Sequence, residues 1–93
     1  MGHFREYNPK MVAEWHGVDF ARRDDDSRWE TSPWGRQIQT WSGFKERCDE
    51  AVNWCDGPMV HGRFSYDGST WRAKFFFKSK KDAMAFKLTY GGL

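Results

Sequence analysis

The chain has few of the residues that would announce chemistry. Two cysteines, Cys48 and Cys55, and three histidines, His3, His16 and His61, occur in 93 residues. Neither cysteine stands in a metal-ligand spacing with further Cys or His, which excludes a standard zinc motif. No histidine pairs with a nucleophile or carboxylate in a catalytic spacing, and no glycine-rich phosphate loop follows a strand-like run. The acidic segment Arg22–Arg28, RRDDDSR, lacks the alternate carboxylates, central glycine and later Glu of a calcium loop, so it reads as a solvated turn. No stretch is apolar enough to span a membrane, the N-terminus has no apolar signal region, and Glu6 stands where a myristoylation motif needs Ser or Thr. These absences set the expectation of a soluble, cytoplasmic, non-enzymatic protein with no cofactor, no metal and no membrane partner.

Aromatic rings are abundant: six Trp, eight Phe and three Tyr. Disordered chains are depleted of these residues, so a single folded domain over residues 1–93 is expected, its small core built from large rings. The net charge of +2 hides an asymmetry. Residues 1–60 carry eight Lys/Arg against eleven Asp/Glu, and residues 61–93 carry seven against two. The acidic half could therefore neutralise the basic half within one chain.

Residues 1–35 read as an N-terminal arm, a short helix capped by Asn8-Pro9, a short strand around Val18–Phe20, and a loop over Trp29–Trp34 broken by Pro33 and Gly35. Trp29, Trp34 and Trp41 fall in polar surroundings. Each reads as a ring closing the core or as a binding anchor, the core being the favoured reading for each taken singly. Residues 36–93 read as a β-α-β-β-α core. Arg36–Trp41 alternates as a strand. The helix that Ser42 caps puts Phe44, Cys48, Ala51, Val52 and Cys55 on one stripe and ends at Gly57-Pro58. Cys48 and Cys55 would lie about 10 Å apart at 1.5 Å per residue, too far to pair, so they read as buried free thiols. In the last helix, Ser79 and Asp82 resemble a capping box. Ala83, Phe86 and Tyr90 form one apolar stripe, and Met84 and Leu88 form a second.

Between the helices, Met59–Lys78 reads as a hairpin closed by a two-residue turn at Asp67-Gly68. That turn would set Tyr66 opposite Ser69, Phe64 opposite Trp71, Gly62 opposite Ala73 and Val60 opposite Phe75. Val60, Phe64, Tyr66, Trp71, Ala73, Phe75 and Phe77 would then share a core face. The other face would carry His61, Arg63, Ser65, Thr70, Arg72, Lys74, Phe76 and Lys78. It would oppose Arg63 to Arg72 and His61 to Lys74, a like-charge arrangement that an anion would relieve. A solvated face with long side chains splayed apart accounts for the same pattern without a partner, and is the slightly favoured reading.

The β-α-β-β-α order matches an antiparallel, ferredoxin-like split βαβ lacking its last strand, with the strand near Val18–Phe20 a candidate for the missing edge. It resembles the RNA-recognition motif in topology and in the placement of Asp82-Ala83. The stacking aromatics of that family would fall at Arg72 and Lys74, which leaves Phe76 and His61 as the rings able to stack. The series Phe75, Phe77, Asp82, Ala83, Phe86, Leu88, Tyr90 and Gly91 resembles the C-terminal pattern F-x-F-x4-D-A-x-x-F-x-L-x-[WY]-G of short tailed-phage proteins. The match covers about a fifth of the chain, in core and capping positions. It implies a phage origin and a shared fold, and no particular activity. The function expected is that of a small phage accessory protein that binds and occludes a host or viral protein, as monomer or homodimer. A nucleic-acid-binding protein and a small virion component are the alternatives. The expected partner surface comprises Arg63, Arg72, Lys74, Phe76 and Lys78 on the hairpin, Trp29 and Trp34 in the loop, and Met84 and Leu88 on the last helix.

Overall fold

The computed structural model describes residues 3–68 and 72–90. In chain order it contains strand β1 (His16–Ala21), a 3-10 turn (Asp24–Asp26), strands β2 (Arg28–Thr31) and β3 (Gln37–Thr40), and helix α1 (Ser42–Cys55). Strands β4 (Phe64–Gly68) and β5 (Arg72–Phe77) and helix α2 (Lys80–Thr89) follow. The protein is a small α+β molecule with two antiparallel sheets, one of three strands in the order β1-β5-β4 and one formed by β2 and β3 alone. No helix among the described residues is long and apolar enough to cross a membrane.

One face of the three-stranded sheet presents Val18 and Phe20 from β1, Phe64 and Tyr66 from β4, and Ala73, Phe75 and Phe77 from β5, as the two-residue period of a strand dictates. Helices α1 and α2 cover that face with Phe44, Ala51, Cys55, Ala83 and Phe86. The Phe86 ring lies 4.6 Å from that of Phe75 and 5.2 Å from that of Phe77, and Phe20 meets Phe75 edge-on at 5.6 Å. Burying each such ring stabilises the fold by about 2–3 kcal/mol. Trp54 and Tyr90 close the helix end of the cluster around Phe86. The apolar stripe of α1 is as the sequence period gives it, with Cys48 and Val52 half-buried at its margins and Lys45, Glu46, Asp49, Glu50 and Asn53 in solvent.

Four expectations are corrected. The hairpin register is the first. Phe64 lies opposite Phe77 rather than Trp71, Tyr66 opposite Phe75, and Gly68 opposite Ala73. Asp67-Gly68 is therefore the end of β4 and not a two-residue turn; Ser69, Thr70 and Trp71 lie outside the described residues. The displacement is even, so the inward face is preserved. The new register stacks Tyr66 on Phe75 at 5.4 Å and sets Asp67 against Lys74, which no pairing closed at Asp67-Gly68 could do. The predicted Arg63–Arg72 and His61–Lys74 pairs do not exist.

Second, strand 37–40 does not enter the main sheet. It pairs with β2, a strand where a loop was expected, and β1 holds the place beside β5. Third, Asn8 and Pro9 open turns rather than a helix. The Asn8 side chain accepts from the Lys10 N–H at 2.9 Å and its carbonyl from the Val12 N–H at 3.1 Å, but the turn does not propagate toward Gly17. Fourth, Ser79 makes no side-chain cap and Asp82 turns inward. The fully buried Asp82 carboxylate accepts from the His61 N–H at 3.2 Å and the Gly62 N–H at 2.8 Å, tying the segment before β4 to α2.

The acidic turn is also only partly solvated. Asp24 and Asp25 are exposed, whereas Asp26 is 2% exposed. Its carboxylate pairs with the Arg47 guanidinium on α1 and accepts from the Arg23 N–H at 2.8 Å. Gly43, in the first turn of α1, allows this approach, because a Cβ there would overlap the Asp26 carbonyl.

Candidate functional site

Three surfaces gather the side chains expected to meet a partner. The first is the β2-β3 hairpin. Its turn is Pro33-Trp34-Gly35, with the Gly35 N–H donating to the Ser32 carbonyl at 2.9 Å and Gly35 at φ +82°. This is a β-turn closed by a left-handed residue, a three-residue loop that favours proline first and glycine last. It puts Trp34 at the tip, 87% exposed. Trp29 sits opposite Gln39 and is 68% exposed, so the core reading of both rings is overturned. Trp41 is half-buried at the start of α1, with the Arg22 guanidinium 3.5 Å over its ring.

The two faces of this hairpin differ in chemistry. Register places Trp29, Thr31, Gln37 and Gln39 on one face, which carries no charge. Arg28, Glu30, Ile38 and Thr40 share the other. That charged face is engaged at its base: Arg28 donates to the carbonyls of Asp25 and Ser27 and lies 3.9 Å from Glu46 of α1. The Trp29 face is thus held outward by anchoring of the face behind it. Ile38, 45% exposed, belongs to this surface although its alternating context suggested a core strand; alternation gives the faces of a strand and not its neighbours.

The second surface is the outer face of the main sheet, where a basic platform was expected. Arg63, Arg72, Lys74 and Lys78 are all exposed. Lys74, however, lies in register between Asp67 on β4 and Asp19 on β1, so two carboxylates flank the basic position. Its aliphatic stem runs over Gly17, where a Cβ would collide with it, and its ammonium rests 5.7 Å from the centre of the Phe76 ring. Phe76 is half-buried, with the Tyr7 ring of the N-terminal arm 5.6 Å away, and Ser65 beside it is fully buried. The arm is pinned to β4 by backbone bonds from the Phe64 N–H to the His3 carbonyl (3.0 Å) and from the Arg5 N–H to the Phe64 carbonyl (2.8 Å). The face is open at its basic rim and closed at the ring a base would stack on.

The third surface is the second stripe of α2, with Met84 56% and Leu88 87% exposed. A groove of about 470 Å³ between α1 and β4, lined by Trp41, Phe44, Cys48 and Tyr66 with Lys45 and Asp49 at its rim, adds an aromatic recess that sequence patterning did not reveal.

Neither cysteine is poised for chemistry. Burial pushes the Cys55 thiol up to about 12, helped by Asp56 and Asp82. Burial likewise raises Cys48 to about 11, against the opposing pull of Arg47. Both are protonated at neutral pH, and thiols are weak nucleophiles in that state. Among the described residues no group of three or more His, Cys, Asp or Glu side chains is placed to hold a metal ion. Comparison of the chain with protein-family models, with curated proteins and with solved structures finds no match.

Proposed function

We propose that the protein is a non-enzymatic binding module that engages a partner protein through the β2-β3 hairpin, with Trp34 and Trp29 as anchors. The observation that carries this reading is the exposure of two tryptophans on a hairpin whose charged face is tied to the body. Tryptophan is the residue most often found dominating a protein interface, and a rigid presentation avoids the entropy of ordering a loop on binding. The mechanism is occlusion: the hairpin tip fills a recess on the partner and the body covers the surface around it. The resemblance of the C-terminal segment to tailed-phage proteins supports a phage accessory role in a host cytoplasm, with a bacterial protein as the target. β1 takes the place beside β5 that strand 36–41 was expected to hold, but it runs antiparallel to β5, whereas a ferredoxin-like split βαβ sets those two strands parallel; the antiparallel α+β sheet is kept and the ferredoxin-like topology is not.

Nucleic-acid binding by the outer sheet face is the weaker reading, because Lys74 is flanked by two aspartates and Phe76 is covered by Tyr7. One experiment separates the two. A photo-crosslinking residue is placed at position 36, exposed beside the hairpin tip, or at 74 or 88, which leaves both tryptophans in place, and each variant is exposed to bacterial lysate. Capture of a protein from position 36, lost roughly 30-fold in affinity on Trp29→Ala, is the expected result, since a hot-spot ring contributes about 2 kcal/mol. Capture confined to position 74, abolished by Arg63→Glu with Lys78→Glu and falling steeply with salt, overturns it in favour of a polyanion.

A further inference from the structure

A two-stranded hairpin by itself is marginal in water, and three or more strands are needed for independent stability. Here every residue of β2 and β3 except the half-buried Thr40 is exposed, so neither face is supported by a core. The edges differ. The Ser32 N–H donates to the Arg36 carbonyl at 2.7 Å, which fixes the phase of the ladder. By the alternation of an antiparallel pair, Glu30 and Ile38 bond to each other, while the N–H and C=O groups of Trp29 and Thr31 point out from β2 and those of Gln37 and Gln39 from β3. Among the described residues no backbone hydrogen bond from outside the hairpin reaches Gln37 or Gln39.

Edge strands are normally guarded by charge, proline or a bulge. The β3 edge has none of these: Gln37-Ile38-Gln39-Thr40 is uncharged and β-prone. We infer that β3 is a homodimerisation edge, pairing antiparallel with β3 of a second copy about a two-fold axis at Ile38 to give a continuous sheet β2-β3-β3-β2. This register sets Gln37 of one copy opposite Gln39 of the other, so every outward backbone group of the strand finds a partner, and it sets Ile38 against Ile38 at the close, non-hydrogen-bonded position. Neighbouring registers lose this match, because they bring Gly35 of the turn or the half-buried Trp41 into the ladder. The same operation on β2 would oppose Glu30 to Glu30, which selects β3. The outward groups of Gln37 and Gln39 match each other about the Ile38 axis with no like charge opposed, and this self-complementarity names the occupant as a second copy. The two-fold keeps both Trp29 rings on one face of the joined sheet, with a Trp34 tip at each end. The inference stands on backbone phase and edge composition, independently of the proposed partner.

The test uses the full chain. Ile38→Cys under mild oxidation is expected to give a covalent dimer at least ten times faster than Glu30→Cys, since directly opposed residues at a non-hydrogen-bonded position lie within disulfide reach. Sedimentation of the unmodified protein should show the mean mass rising toward twice 11.0 kDa with concentration. Gln39→Pro, which removes an N–H that only the second copy uses, should hold it at the single-chain value, while Thr31→Pro on the other edge should not. A single-chain mass up to ~0.5 mM, a concentration at which even weak specific dimers form, overturns the inference. So does equal crosslinking of the two cysteine variants, or dissociation by Thr31→Pro alone. Circular dichroism of each variant separates loss of pairing from loss of fold.

Discussion

The sheet body and the β2-β3 hairpin are both rich in aromatic rings, and they use them in opposite ways. In the body, Phe20, Phe64, Phe75, Phe77 and Phe86 are wholly buried and touch one another. In the hairpin, Trp29 and Trp34 stand in solvent and take no part in that cluster. A high aromatic content is therefore not one signal. A ring that recurs at strand or helix period beside other apolar residues is core, whereas a ring between Pro and Gly, or flanked by charge, is available for something else. The division predicts where substitutions cost stability and where they cost only function.

The sharpest test is Phe75→Ala. Phe75 is central in the middle strand and is in ring contact with Phe20, Tyr66 and Phe86. Losing its transfer energy and leaving a cavity should destabilise the fold by about 3–5 kcal/mol, read as a fall in the urea midpoint. A loss below about 1 kcal/mol would mean the cluster is not the core.

Next in size is Asp26→Ala. The carboxylate is buried with Arg47, and removing it strands a largely buried guanidinium, whose ring-facing side lies 4.6 Å over Phe20, as well as the Arg23 N–H. A loss of about 3 kcal/mol is expected. Asp25→Ala, at an exposed position in the same run, should change stability by less than about 0.5 kcal/mol. Equal effects at the two sites would restore the solvated-turn reading.

A smaller effect comes from alkali. The folded state raises Cys55 from its ordinary value of 9.0 to about 12, so folding favours the protonated thiol. That contribution is whole below pH 9 and is lost as pH rises from there toward 12, at no more than about 1.4 kcal/mol per pH unit. Melting temperature should fall over this interval, and Cys55→Ala should have the shallower slope. An identical slope in both proteins would show that the Cys55 thiol binds its proton equally well folded and unfolded, and so is solvated in the native state.

Much of the body was legible because its information is local. The stripe of α1 needs only the helical period from Phe44 to Cys55, and the inward face of β4 and β5 needs only alternation, which survived the register error. What was not legible depends on partners far apart in sequence. Asp26 is indistinguishable from Asp24 and Asp25 until Arg47 is seen beside it, and Asp82 looks like a cap until the N–H groups of His61 and Gly62 reach it. Asp67-Gly68 has turn chemistry, but stacking of Tyr66 on Phe75 and the flanking of Lys74 by Asp19 and Asp67 stabilise a longer ladder that runs through it. Strand 37–40 was found, yet nothing in Gln-Ile-Gln-Thr says which edge it joins. Of the candidate site, the sequence singles out Trp29 and Trp34 but favours burial for each, and the structure exposes both, because the sequence around them carries no periodicity from which burial can be read.

The smallest stability effect is expected at Trp34, and it bears most directly on function. A ring 87% exposed at the tip of a turn contributes little apolar burial to the fold. The turn itself depends on Pro33 and Gly35 rather than on the side chain between them. Trp34→Ala should therefore shift the urea midpoint by an amount equivalent to less than about 0.5 kcal/mol. Leaving so large a ring in water has no stabilising benefit in the isolated chain, so near-neutrality here beside the large loss at Phe75 would assign the two kinds of ring to different tasks. A loss above about 1.5 kcal/mol would instead mean that Trp34 folds back on the body in solution, and the hairpin would then be a satellite of the core rather than a binding arm.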